Sequence, residues 1–344
     1  MYILYFLLSP IIFLCLIIST LFNKKIRSRF FTGSMINTIA KKNLKDPIIF
    51  HAASAGEFEQ IKPFLRAHKS NNPIIQTFFS PTIYNKEKDS KLFDECCYHP
   101  FDFPWTAYFF FKKLRPSKYI VNRHDIWPHH IFFAKKFNVK IIYMNANLKS
   151  NSLRLKFIFK SFHKWLFNQI DTIIVPSNEI KDRFVENFGT KNIRIHQDSR
   201  FKQIQYRINK NKKITGLAES LLDKKTIILG SIDSKDWEII LKSIKKTKLN
   251  NFNLIVVPHE IDNIFIEKII RDLNELDLTA NRFTNIEPLE DWNANINNKL
   301  DCIIYDKVGD LLDLYKYAEL AYVGCGFSSG VHNVAEPALQ GCYV

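Results

Sequence analysis

Apolar and polar positions divide the chain into three regimes. From Tyr2 to Phe22 no charged residue occurs, and Lys24, Lys25, Arg27 and Arg29 follow at once. A run of 21 such residues is long enough to cross a hydrocarbon core as a helix, and Pro10 within it leaves a shallow interfacial helix as the alternative. Further on, short apolar runs alternate with amphipathic or turn-rich segments. Ile48–Phe50, Ile74–Phe79, Tyr119–Val121, Lys140–Met144 and Thr172–Val175 read as strands. A second series, Thr226–Leu229, Asn253–Val257, Cys302–Tyr305 and Leu320–Val323, follows the polar, Lys-rich stretch Gln203–Lys213, which reads as a linker. Such alternation predicts parallel βαβ units. The expectation is an α/β chain with a transmembrane anchor over residues 1–23, a basic juxtamembrane segment over 24–45, and two doubly wound domains, 46–205 and 206–344, facing a cleft. Tyr98–Trp105 and Ala107–Phe111 read as packing and loop, and Asn285–Asn298 as loop. The end, Ala338–Val344, reads as a helix, a glycine stop and the start of a strand, so the second domain is expected to be incomplete.

The junction after the first strand is the most informative stretch. Phe58, Ile61, Phe64 and Leu65 recur at helical spacing, so the period changes between Ala53 and Glu57. Small residues there, Ser54 and Gly56 among them, let the backbone approach a ligand, and the free N–H groups of the new helix would face it. The spacing Ser54-x-x-Glu57 is also that of a capping box, in which Glu57 serves the helix alone. Both readings of Glu57 stand at this point.

Charge and cysteine content narrow the partners. Lys and Arg number 49 against 34 Asp and Glu, a formal net charge of +15, which suits nucleic acid, acidic lipid or a phosphorylated substrate. No basic, aromatic nucleic-acid platform is present, so no nucleic-acid partner is expected. Six cysteines without a C-x-x-C pair or a zinc spacing argue against a disulfide framework or a metal, and place the body in a reducing compartment. The basic flank after the apolar run keeps that body cytoplasmic.

A second constellation lies between Gly324 and Pro337. A strand ends in a glycine-rich loop containing Gly326 and Gly330, and His332, Asn333 and Glu336 follow at a short helix. Strand, glycine loop and helix together bind phosphate through backbone N–H groups, and Glu336 is placed to accept from ribose hydroxyls. Asn333-x-x-Glu336 also fits a simple cap. Gly230 and Ser231 follow one strand of the second series and His259 follows another, equivalent positions for ligand contact.

His51-Ala52-Ala53-Ser54-Ala55-Gly56-Glu57, Asp125-Ile126-Trp127-Pro128, Asn145-Ala146-Asn147-Leu148, Asp198-Ser199-Arg200-Phe201 and Gly330 to Ala338 occur in the order seen in 3-deoxy-D-manno-octulosonic acid (Kdo) transferases, and the whole chain resembles that family. The resemblance implies a GT-B fold of two Rossmann-like domains and an inverting, metal-independent transfer of Kdo from CMP-Kdo to a lipid A precursor at the inner membrane, with no cofactor. It implies Glu57 as general base, with Asp125 beside it in the catalytic set. It further implies that Gly230, Ser231, His259 and the 326–333 loop hold CMP and that Glu336 contacts its ribose. Two departures stand out. Arg123-His124-Asp125 replaces the usual Glu-Thr-Glu, and Pro258 stands where many members carry an arginine for the nucleotide phosphate, leaving Arg200 or Lys202 to supply that cation.

Overall fold

The structure, a computed structural model, describes residues 2–214, 217, 225–247, 252–286, 301–328 and 330–344. The expected loop Asn285–Asn298 lies almost wholly outside them. Two compact units form, Met1–Gln203 and Ile204–Val344.

Unit 1 holds seven parallel strands: β1 (Ile48–Ala52), β2 (Ile74–Phe78), β3 (Glu95–Tyr98), β4 (Lys118–Asn122), β5 (Lys140–Met144), β6 (Thr172–Val175) and β7 (Ile193–Ile195). Their order is β3-β2-β1-β4-β5-β6-β7, so the chain reverses direction across the sheet between β1 and β4. Period-two alternation covers both faces. Ile48, Phe50 and Ala52 pack with Phe58, Ile61 and Leu65 of the helix Ala55–Ala67. Ile49, Val121, Ile141 and Tyr143 pack on the other face against Phe110, Phe111, Phe167 and Phe184. Burying each such side chain contributes about 1.5–3 kcal/mol, which explains why so many of the phenylalanines are core.

Unit 2 repeats the plan with β8 (Lys225–Ile232), β9 (Phe252–Pro258), β10 (Ala280–Arg282), β11 (Cys302–Ile304) and β12 (Leu320–Val323). All pairings are parallel in the order β10-β11-β9-β8-β12, with the reversal between β8 and β12.

Two segments differ from their sequence reading, and the juxtamembrane segment, readable as linker or helix, is partly helical. Ala107–Phe111 belongs to a helix, Pro104–Leu114, opened by a proline whose missing N–H has no partner to lose at the first helical position. Residues Ser199–Asn209 form a helix through most of the expected linker, because Ile204 and Ile208 sit one turn apart and Ile204 is buried. The juxtamembrane segment contains the helices Lys24–Thr32 and Ile36–Ala40, the latter anchored in the core by Ile36 and Ile39.

Candidate functional site

In doubly wound sheets ligands bind at the carboxyl ends of strands beside the topological reversal. In unit 1 that place is the end of β1, where Ser54 caps the helix Ala55–Ala67 by accepting from the Glu57 N–H at 3.4 Å. The Glu57 carboxylate turns back and accepts from the Ala53 N–H at 2.7 Å. The Ser54 cap is therefore real, while Glu57 closes on Ala53, one residue before the cap, and its carboxylate is held in a buried position, 6% exposed. Burial, and then the charge of Asp125, raise the Glu57 pKa; the Ala53 N–H, His51 and Arg123 oppose this only in part. The ionising effect expected of a helix N-terminus is thus outweighed by desolvation. The result is a carboxylate that holds a proton more strongly than an exposed one.

Asp125 Oδ2 lies 3.2 Å from His51 Nε2, and His51 Nδ1 lies 3.0 Å from the Thr77 hydroxyl. The His51 ring packs on His99, and His99 on His130, with centroids 4.0 and 4.3 Å apart. Burial holds His99 well below the ordinary histidine value and lowers His130 too. A second set of polar contacts fixes the helix start. The Asn122 amide donates to the Glu57 carbonyl at 3.0 Å and to Gln60 at 3.1 Å, Asn145 donates to Asn122 at 2.8 Å, and the Ser199 hydroxyl donates to Asn145 at 3.1 Å. None of His51, Asn122 or Asn145 stands out as a site residue in the sequence. The available signal was their position at the last residue or two of an apolar run or just after it.

Asn122→Ala removes a fully buried amide and strands the groups it serves, a cost of about 1–3 kcal/mol. With the Glu57 helix start displaced, kcat is expected to fall about tenfold to a hundredfold while KM for the donor holds. Steady-state kinetics and urea unfolding on the same preparation check this.

Arg200, a candidate phosphate cation, is held by Asp198, with contacts of 3.0 and 2.8 Å. Both line a cavity of about 320 Å3 with Arg123, Asn145 and Asn147 at the carboxyl ends of the strands. A larger cavity, about 680 Å3, opens beside Asp46, Ile75 and Arg115 at the amino ends, away from the reversal and from Glu57.

Unit 2 builds a different kind of site at its own reversal. Gly324 donates to the Gly230 carbonyl at 2.8 Å, and a Cβ on Gly324 would sit 2.4 Å from the Ser231 carbonyl oxygen. A Cβ on Gly230 would collide with the Tyr315 hydroxyl. Ser231 itself takes a left-handed φ of 53°. Gly324 therefore permits a close approach of the end of β12 to β8 that a side chain would block, and Gly230 leaves room for Tyr315. Asp236 ties the strand ends together, accepting from the Cys325 N–H at 2.6 Å and the Tyr322 hydroxyl at 2.9 Å. The rings of His259 and His332 face each other 4.5 Å apart. Burial and then the adjacent His259 lower the His332 pKa, so His332 offers a neutral donor or acceptor in place of a cation. Among the described residues, His259, Cys325 and His332 also bring donor atoms within 4.8 Å of one another, a set able to ligate a thiophilic cation.

Gly326 has room for a Cβ apart from Val331, and Gly330 has φ 105°, which favours glycine. Ser329 of this loop lies outside the described residues. Asn333 accepts from the Ala335 N–H at 3.2 Å, as a cap does, and Glu336 pairs with Arg207 at 3.5 Å.

Two parallel doubly wound units, one with a buried carboxylate at its reversal and the other with a glycine-lined turn, give the chain the GT-B fold class. The family model for 3-deoxy-D-manno-octulosonic-acid transferase (Kdo transferase) matches residues 24–203. The chain is 32% identical over 305 residues to the 3-deoxy-D-manno-octulosonic acid transferase of Aquifex aeolicus, covering 87% of this chain and 75% of that protein. It is 26% identical over 305 residues to the enzyme of the same name from Haemophilus influenzae, covering 84% and 68%. The UDP-GlcNAc 2-epimerase of Neisseria meningitidis, solved with UDP-GlcNAc, shares the fold at a TM-score of 0.55 and 10% identity over 80% of this chain and 76% of that one. This chain belongs to the Kdo transferase family, and its reaction class is glycosyl transfer in lipopolysaccharide biosynthesis. Its one described helix long and apolar enough to cross a membrane, Tyr2–Phe22, fits membrane association.

Proposed function

We propose that this transferase moves Kdo from CMP-Kdo to a lipid A precursor, lipid IVA, with inversion at the anomeric carbon and without a bound metal. The observation that carries the reading is Glu57: a buried carboxylate with a raised pKa, fixed at the end of β1. Such a group removes the proton from the acceptor hydroxyl as its oxygen attacks the anomeric carbon. The bond from that carbon to the phosphate oxygen breaks, and CMP leaves with the electron pair. Asp125 adds to burial in raising the Glu57 pKa. Ser54 and Gly56 let the acceptor approach the backbone. Gly230, Ser231, Gly326, Gly330, His259, His332 and Asn333 hold the nucleotide, Glu336 its ribose, and Arg200 is the cation facing phosphate on the acceptor or donor side. Unit 1 thus binds acceptor and unit 2 binds donor. The protein is anchored at the inner membrane by its N-terminal helix, with both units in the cytoplasm and basic residues toward anionic lipid.

Arg123-His124-Asp125, which replaces the family's usual acids, favours a second reading, another nucleotide sugar on the same scaffold. Nucleotide release separates the two. With full-length protein, a tetraacylated lipid A precursor and excess EDTA, CMP release from CMP-Kdo is expected at the rate seen without chelator. Release only from a UDP-sugar, or only after metal is restored, overturns the proposal.

A further inference from the structure

The N-terminal helix is not equally exposed around its circumference. Its least exposed positions are Tyr2, Tyr5, Ser9, Phe13, Leu16, Ser19 and Thr20, which recur about once a turn along the entire 21-residue element. That is one face of a helix. Five of these seven positions carry a hydroxyl, in a segment otherwise made almost entirely of aliphatic and aromatic residues.

The partners of this face belong to the body of unit 1. The Tyr2 ring stacks on Phe132 and Trp165 at 4.8 and 4.7 Å, and its hydroxyl lies 3.1 Å from His129 Nδ1. Tyr5 donates to Asp102 at 3.0 Å, and the same carboxylate lies 2.7 Å from His130 Nδ1. Ser9 meets the other nitrogen of His129 at 3.0 Å. One and two turns later Phe13 packs edge-on against Phe103 and Trp105, at 5.1 and 5.5 Å. Ile158, Phe162 and Trp165 share one face of their own helix by spacing, so the apolar surface continues past Tyr2 through Ile158, which is 69% exposed.

We infer that this helix lies in the plane of the membrane, sunk into one leaflet, and does not cross the bilayer. A helix of 21 residues is about 31 Å long, enough to span. Yet unit 1 accompanies it from Tyr2 onward. Were it to stand upright, Asp102, His129 and His130 would be carried to the far side of the hydrocarbon, where ionisable groups are costly. Lying flat, it presents Ile3, Leu7, Ile11, Leu14, Ile18 and Leu21 to acyl chains, all exposed in the structure, while its hydroxyl face stays on the protein. Phe31, Trp105 and Phe109 extend the exposed apolar surface, and Lys113 lies over the Phe109 ring at 5.6 Å with Lys24, Arg27 and Lys112 also exposed. This pairing of apolar area with a cationic rim matches one leaflet with anionic headgroups.

The inference rests on the membrane reading above, and one assay separates them. The full-length chain, expressed in a Gram-negative host with different epitope tags at its two ends, is fractionated, and intact spheroplasts are treated with protease. An in-plane helix leaves both tags equally protected until lysis, with the chain in the membrane pellet. Cleavage of the N-terminal tag alone in intact spheroplasts means that the helix crosses the bilayer, and overturns the inference while leaving the anchor. Recovery of the chain in the soluble fraction overturns both.

Discussion

Replacing Glu57 by Gln is expected to lower kcat by a factor of about 10² to 10⁴, the range for loss of a positioned general base, or about 3–5 kcal/mol of barrier. Gln still accepts from the Ala53 N–H, so the helix cap survives and affinity for CMP is expected to be unchanged. The same variant is expected to unfold at a higher temperature at pH 8. The sign follows from the raised folded pKa. A carboxyl whose pKa is higher folded than unfolded contributes stability below its unfolded pKa, and that contribution is lost as pH rises through the folded value. Above the folded pKa the ionised, buried form is the costly one, whereas Gln never ionises. The gap in melting temperature between variant and wild type should therefore close as pH falls toward the ordinary carboxylate range. Thermal melts across pH, run beside steady-state kinetics, check both halves. A variant that loses activity and also melts lower at every pH would show that Glu57 serves the cap, not the chemistry.

Gly324→Ala is the second large expected effect. The added Cβ meets the Ser231 carbonyl oxygen at 2.4 Å and the Ile232 Cα at 2.8 Å. Both are backbone atoms on β8, so relief requires β8 and the neighbouring end of β12 to part. Overpacking of this kind costs about 1–3 kcal/mol, and here the displaced backbone is the turn that would face the nucleotide. CMP affinity is expected to fall at least tenfold, with unit 2 unfolding at lower urea. Gly326→Ala is the control for unfolding, because its Cβ meets only the Val331 side chain, at 3.2 Å. Equal losses of stability in the two variants, by urea melts, would mean that the meeting of β8 and β12 has no special role.

Central strands and edge strands were not equally legible. β1, β2, β4, β5, β6, β8, β9 and β11 lie between neighbours with both faces covered, and the sequence shows mainly apolar runs there. β3, β7 and β10 are edge strands of three or four residues, and Ile193–Ile195 carries an arginine at its centre with two of its three residues exposed. Nothing forces such a strand to look like one. The helix Ser199–Asn209 was hidden for the converse reason: its charged, largely exposed surface reads as linker until the single turn from Ile204 to Ile208 is noticed.

The same division runs through the sites. Glu57 was visible because a small-residue turn between a strand and a helix leaves a local signature. The asparagines that hold its helix, Asn122 and Asn145, meet only in the folded sheet, through neighbouring β4 and β5. The hydroxyl face of the N-terminal helix was written in the sequence as Tyr2, Tyr5, Ser9, Ser19 and Thr20, but a mean over an apolar segment conceals it. Its meaning comes from Asp102 and His129, about a hundred residues away.

Mass spectrometry of a tetraacylated lipid A precursor, after incubation with CMP-Kdo and either the full-length wild-type chain or Glu57→Gln, tests the central claim most directly. The predicted result is addition of Kdo by the wild type, matched mole for mole by CMP, and an unmodified acceptor with the variant at equal donor occupancy. An acceptor modified equally by both would contradict it, as would a wild-type chain that binds CMP-Kdo and leaves the lipid unchanged.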